Sequence, residues 1–144
     1  MKVRVVAHVR RADKLFELGA QAYCTRLRRL VPFERIELRG KENASLKQLQ
    51  LIGPRRLCVV LDAGGWQPTS NAFREWLDTT RTRALTDLNF VIGGPFGLPA
   101  GARDESDRIL SLSPLTLPHR LAQVLLLEQL YRAFATLSGQ YYDH

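Results

Sequence analysis

This sequence of 144 residues has few of the features that cross-link a small protein or attach it to a membrane. Its two cysteines, Cys24 and Cys58, lie in apolar surroundings and have no metal-ligand spacing. We therefore expect core thiols in a reducing compartment, and no metal site. No apolar run approaches the ~20 residues of a membrane-spanning helix, and the first residues, Met1–Val6, lack the long apolar core of a signal peptide. The sequence thus predicts a cytoplasmic protein without membrane association.

Acidic residues are scarce in the first part of the chain. Residues 1–56 carry 14 Lys or Arg and 5 Asp or Glu, whereas residues 57–144 carry 7 and 9. Arginine binds phosphate through a planar fork and stacks on bases, so an arginine-rich basic region suits RNA. Arg26, Arg28 and Arg29 crowd the end of one predicted helix and are the candidate RNA-binding residues. A solvated basic surface explains the charge equally well.

Apolar, β-branched runs alternate with longer amphipathic segments, which predicts a single α/β domain over residues 1–144. The expected fold is a mostly parallel sheet with helices on both faces. Expected strands cover 3–9, 33–38, 57–61 and 88–92, with a short strand or extended loop at 112–117. Expected helices cover 13–30 (capped by Asp13), 44–52, 71–85 (capped by Thr69 or Ser70), 100–109 and 118–138 (ended by Gly139), with a turn over 62–65.

A glycine-rich loop, Gly93-Gly94-Pro95-Phe96-Gly97-Leu98, follows the strand predicted at 88–92. Glycine lets a backbone approach a ligand closely, and ligands of such sheets bind beyond the carboxyl ends of the strands. The loop has neither the dinucleotide-binding glycine pattern nor the Lys and Ser/Thr of a P-loop. A phosphate-cradling NTPase is therefore not expected, and the loop by itself favours a structural turn.

The order of three motifs carries more information than the loop alone. The segment 91–98 is followed by 112–119 (LSPLTLPH), then by a helix containing 126–133 (LLEQLYRA) and a short tail with Tyr142. This arrangement resembles the SPOUT methyltransferases, and within them the RlmH family, which methylates N3 of a pseudouridine in large-subunit ribosomal RNA. The resemblance implies a homodimer with a C-terminal trefoil knot that binds S-adenosylmethionine. The cofactor contacts it implies are Leu61, Gly93, Leu112, Ser113, Pro114, Leu115, Thr116 and Leu117.

The candidate catalytic residues lie near the C-terminus. Tyr142 matches the family's usual ending, but Asp143 stands where the family has histidine and His144 where it has Lys or Arg. Our hypothesis is that Tyr142 orients the target base and that Asp143 or His144 manages the proton. Arg132 can pair with Glu128 one helical turn away, either at the site or dimer interface or as a structural salt bridge.

Two further residues and two further functions stay open. His119 begins a predicted helix beside the cofactor segment, and it either faces the ligand or packs structurally. Phe96 replaces an expected polar residue and either stacks on a base or covers the pocket. The basic first half and the altered tail also fit a ribosome-binding or assembly factor without catalysis. The glycine-rich turns also fit an α/β module that binds another nucleotide or a phosphate.

Overall fold

The computed structural model describes residues 1–11, 13–140 and 142. Nine helices and strands occur within these residues. They are β1 (Lys2–His8), α1 (Lys14–Leu27), β2 (Phe33–Leu38), β3 (Arg56–Trp66), α2 (Ser70–Arg81), β4 (Asp87–Ile92), α3 (Ala102–Glu105), β5 (Arg108–Leu110) and α4 (His119–Leu137).

The five strands form one sheet in the order β2-β1-β4-β3-β5, and every neighbouring pair is parallel. The prediction of an α/β fold with a parallel sheet is confirmed. Strand β4 is buried along its whole length, as expected for a central strand of a parallel sheet. All carboxyl ends therefore meet at one edge, where the loops after β3, β4 and β5 come together.

Hydrophobic cores lie on both faces of the sheet. Helices α1, α2 and α4 cover one face, with Leu27, Leu77 and Leu127 packed among strand side chains. The second face is covered by α3 and by a loop that contributes Leu46 and Leu51. Within the described ranges, no helix is both long enough and apolar enough to span a bilayer.

The predicted helix ends are largely confirmed. The Asp13 side chain accepts a hydrogen bond from the Leu15 amide at 3.0 Å, and the Thr69 hydroxyl accepts one from the Ala72 amide at 3.1 Å. Gly139 has a φ of +80°, the left-handed conformation that ends helices. Leu15 is the second residue of α1, and its side chain is 78% exposed.

Three local predictions are wrong. Residues 44–52 form turns rather than a helix. The Leu49 amide donates to the Ser45 carbonyl four residues back, but the Leu51 amide donates to the Leu46 carbonyl five residues back, and Gln50 has a φ of +58°. Residues 100–109 are helical only over Ala102–Glu105, and Ile109 lies in β5. Residues 62–65 belong to β3, which bulges so that Leu61 and Trp66 both pair with Leu110.

The resemblance implies a trefoil knot, in which one segment of the chain passes through a loop formed by another. Strand order alone does not decide it, so the knot stays a prediction.

Candidate cofactor pocket

A pocket of about 420 Å³ lies at the carboxyl edge of the sheet. Its walls come from the bulged part of β3, from the loops after β4 and β5, and from the first turn of α4. All eight residues that the sequence assigned to the cofactor line this one pocket: Leu61, Gly93, Leu112, Ser113, Pro114, Leu115, Thr116 and Leu117. Parallel strands explain why residues separated by more than 50 positions meet here.

The glycine-rich loop forms one wall and leaves no space for a side chain at Gly93 or Gly94. A Cβ at Gly93 would lie 2.5 Å from the Gly97 carbonyl carbon and 2.7 Å from the Leu98 amide nitrogen. A Cβ at Gly94 would lie 2.9 Å from the His8 carbonyl oxygen. The Gly97 amide donates to the Gly94 carbonyl at 2.9 Å, which closes a tight turn. These glycines let the loop pack against itself and against the end of β1.

The opposite wall is the segment 112–117, whose shape is set by two serines. The Ser111 hydroxyl donates to the Ser113 carbonyl at 3.0 Å. The Ser113 hydroxyl accepts from the Leu115 amide at 2.9 Å. Such side chain–backbone bonds hold an irregular segment in one conformation. The resulting wall is mainly aliphatic, with backbone polar groups between the side chains, as adenine-binding sites require.

His119 stands in the pocket wall at the start of α4. Its Nε2 is buried without a hydrogen-bond partner among the described residues. Burial, together with the nearby positive charge of Arg120, lowers the pKa of His119 below its usual value. A neutral imidazole with an unpartnered buried nitrogen can serve a polar ligand group. This geometry favours the ligand-side role of His119 over purely structural packing.

Asp62 is the acidic side chain of the pocket lining, and sequence reasoning missed it. Its carboxylate accepts from the Ala63 amide at 2.9 Å and forms an ion pair with Arg103. Ala63, Leu98 and Ala122 also line the pocket and were not among the predicted cofactor contacts. Asp62 and Ala63 directly follow Leu61 at the end of the paired part of β3, a position that could have identified them.

The predicted catalytic side chains that the structure describes lie away from this pocket. The Tyr142 ring packs edge-on against Tyr131, with centroids 4.8 Å apart, and the Arg132 guanidinium lies 5.0 Å from the Tyr142 centroid. Glu128 pairs with Arg132 at 2.7 Å, so the expected i,i+4 salt bridge is present. Within the described residues, neither Tyr142 nor Arg132 lines the pocket. Asp143 and His144 lie outside the described residues.

The environment of Tyr142 fixes its protonation state. Its hydroxyl donates to Glu128 Oε1 at 3.4 Å. Burial and a hydrogen bond with Tyr23, with the Glu128 charge nearby, raise the pKa of Tyr142 to about 12. The phenol is therefore protonated at neutral pH, and it can donate a hydrogen bond but cannot remove a proton.

The three predicted RNA-binding arginines are exposed at and just beyond the C-terminal end of α1. Arg26 lies 5.5 Å from the Tyr23 ring centroid and 5.7 Å from that of Tyr131. Since Tyr131 also contacts Tyr142, the basic end of α1 and the Tyr142 side chain lie close together. Within the described part of the chain, no three His, Cys, Asp or Glu side chains gather as a metal site would need.

A pocket built from loops at the carboxyl edge of a parallel sheet is typical of α/β proteins that bind small ligands. Comparison with known proteins identifies the family. The family described as predicted SPOUT methyltransferase matches residues 1–144, and the chain belongs to this family. Curated relatives called Ribosomal RNA large subunit methyltransferase H come from Anaeromyxobacter sp. (strain K), Geobacter sulfurreducens and Streptococcus mutans. They are 40%, 32% and 34% identical, with at least 99% of both chains covered.

Solved structures share the fold at low sequence identity. A probable methyltransferase from Bordetella pertussis is 13% identical, with a TM-score of 0.57 over 92% of this chain and 96% of that one. A putative methyltransferase from Legionella pneumophila, in complex with bound S-adenosylmethionine, is also 13% identical. Its TM-score is 0.55 over 92% of this chain and 66% of that one. Both likenesses concern the fold alone.

Proposed function

We propose that this protein methylates N3 of a pseudouridine in large-subunit ribosomal RNA, using S-adenosylmethionine as methyl donor. The observation that carries the proposal is the convergence of Leu61, Gly93 and the segment 112–117 on one pocket. The names of the relatives supply the ribosomal RNA substrate. The choice of pseudouridine N3 comes from the family resemblance.

The pocket suits the cofactor through its shape and its donors. The glycine-rich loop and the side chains of Leu112, Leu115 and Leu117 would hold the adenine ring, and backbone groups would read its edge. His119 Nε2 offers a polar partner in the wall. When bound, the cofactor would supply an electrophilic methyl group on a sulfonium. Positioning of the two reactants by the protein can contribute on the order of 7–11 kcal/mol to such a transfer.

Tyr142 acts as an orienting group in this proposal. With a pKa of about 12, its hydroxyl stays protonated. The ring can orient the target base by stacking, or the hydroxyl can turn from Glu128 Oε1 and donate its single hydrogen bond to a carbonyl oxygen of the base. Removal of the N3 proton falls to Asp143 or His144. A general base contributes ~10²–10⁴-fold to such a step. Arg132, held 2.7 Å from Glu128, supplies positive charge beside Tyr142.

Homodimerisation follows as part of the proposal. Tyr142 and Arg132 do not line the pocket of their own chain, which supports a dimer in which a second copy brings these groups to the reacting atoms. The exposed apolar side chains of Leu15 and Leu18, in the N-terminal half of α1, give such a contact an apolar surface. Arg26, Arg28 and Arg29, at the C-terminal end of α1, bind RNA phosphates. A cytoplasmic location accompanies a ribosomal substrate.

The altered tail favours one second candidate. Asp143 in the place of histidine, and His144 in the place of Lys or Arg, suit a ribosome-binding or assembly factor that keeps the fold without catalysis.

Removal of residues 142–144 tests the catalytic proposal, with S-adenosylmethionine affinity and methyl transfer to ribosomes measured in parallel. We expect retained cofactor binding and abolished methyl transfer. Unchanged transfer would reject the role of the tail. A full-length protein that binds S-adenosylmethionine but never methylates ribosomes would support the assembly factor instead.

A further inference from the structure

Phe96 is an aromatic side chain that the fold presents to solvent, with 73% of its surface exposed. It occupies the third position of the turn closed by the Gly97–Gly94 hydrogen bond, directly after Pro95. The turn is closed by a backbone hydrogen bond across Pro95 and Phe96, which fixes the backbone that carries the ring. The loop therefore holds a large ring where a binding partner can reach it.

The tight packing of the loop fixes where the ring stands. Gly94 lies against the His8 carbonyl at the end of β1, with no room for a side chain between them. Arg10 follows two residues after His8, and its guanidinium carbon lies 4.7 Å from the Phe96 ring centroid. A guanidinium at this distance from a ring forms a cation–π contact. Phe96 and Arg10 thus form one exposed pair, held by two backbone segments that touch.

The pair stands at the rim of the candidate cofactor pocket. Pro95 and Gly97 both line that pocket, while Phe96 between them does not. Consecutive Cα atoms are ~3.8 Å apart, so the ring begins within one residue of the pocket wall. A target nucleotide whose base reaches the mouth of this pocket, beside the cofactor, would place a neighbouring base within reach of Phe96.

We propose that Phe96 and Arg10 form a stacking platform for an RNA base that neighbours the target nucleotide. This inference rests on the proposed function. Single-stranded RNA is recognised through bases stacked on aromatic rings and on arginine planes, the two groups paired here. The platform holds the substrate strand in register, and Phe96 is a positioning residue.

The positive charge around Phe96 and Arg10 favours RNA, rather than a second copy of the chain, as the partner that binds there. The Arg39 side chain donates to the Arg10 carbonyl at 3.1 Å, and Arg11 is exposed next to Arg10. In a symmetric contact the same patch would face itself and bring like charges together. A polyanion with stackable bases matches both the charge and the ring.

Methylation kinetics with ribosomes lacking the modification test the platform. Phe96→Leu keeps an apolar side chain but removes the aromatic ring. Arg10→Lys keeps the positive charge but removes the planar guanidinium, and Phe96→Tyr keeps a ring on which a base can stack. Base–aromatic stacking implies a KM for ribosomes roughly 5- to 100-fold higher for Phe96→Leu. We expect a smaller rise for Arg10→Lys, a near-normal KM for Phe96→Tyr, and unchanged S-adenosylmethionine affinity throughout. Arg83→Lys, before β4 at the opposite end of the sheet, is the matched control.

An unchanged KM for Phe96→Leu in an active enzyme overturns the platform and leaves the proposed function standing. A raised KM that dissociation of the dimer accounts for, as measured by sedimentation, overturns it too. If the wild-type protein methylates nothing, the proposed function fails, and a direct measurement still decides the platform. The probe is then a short single-stranded RNA carrying 2-aminopurine. Quenching of its fluorescence by the wild type but not by Phe96→Leu supports stacking, and equal or absent quenching overturns it.

Discussion

Substituting Gly93 by alanine tests the construction of the pocket most sharply. The added Cβ would lie 2.5 Å from the Gly97 carbonyl carbon, 2.6 Å from its oxygen and 2.7 Å from the Leu98 nitrogen. All three are backbone atoms of the same loop, so no side chain can rotate away and the loop itself must move. Overpacking of this kind costs ~1–3 kcal/mol. Because the loop forms a pocket wall, a further loss of S-adenosylmethionine affinity is expected, tenfold for each ~1.4 kcal/mol of misfit.

Gly19→Ala is the matched control, because it is the same substitution in open surroundings. The nearest atom to a Cβ at Gly19 is Val124 Cγ1 at 3.6 Å, an ordinary contact, and the position lies inside α1. Alanine there should stabilise the protein by ~0.5–1 kcal/mol. Urea unfolding gives the free energy of unfolding of both variants, and calorimetric titration gives the cofactor affinity. A Gly93→Ala protein as stable and as tightly binding as the wild type would refute the reasoning.

Three other predictions concern charge and protonation. Replacing Arg26, Arg28 and Arg29 together by glutamine should weaken RNA binding and reduce its dependence on salt. The logarithmic slope of affinity against salt should fall by ~0.7 for each phosphate of a single strand that is no longer neutralised, and an unchanged slope would reject RNA binding by these arginines. Burial raises the pKa of the Cys58 thiol to about 12, so Cys58 should react with thiol reagents at pH 8 only after unfolding, and rapid modification of the native protein would contradict its placement. Hydrogen bonding to Arg35 lowers the pKa of Glu17. The stability that this pair contributes is therefore present at neutral pH and is lost as the pH falls through the folded-state pKa. Glu17→Gln should reduce the fall in the free energy of unfolding at acidic pH.

The features that could be predicted from sequence are those with local physical signals. Asp13 and Thr69 are hydrogen-bonding caps ahead of amphipathic segments, and Gly139 supplies the left-handed residue that ends α4. The parallel sheet followed from alternation of strands and helices. The pocket residues came from the family resemblance, and the parallel sheet explains why they meet.

The predictions that failed depended on distant contacts. Residues 44–52 have helix-forming composition, but Leu46 and Leu51 are drawn into the second core and Asn89 Nδ2 donates to the Leu51 carbonyl at 2.9 Å from 38 positions away. Ile109 joins β5 because β3 offers it a strand edge. The contact of the Tyr142 ring with Tyr131 is likewise one that no local sequence pattern reports.

The most direct test of the central claim is to incubate the protein with labelled S-adenosylmethionine and ribosomes that lack the modification, and then to map the label. The proposed function predicts one methyl group on N3 of a single pseudouridine in the large-subunit RNA. Label on another nucleotide, or no label from a protein that binds the cofactor, would contradict it.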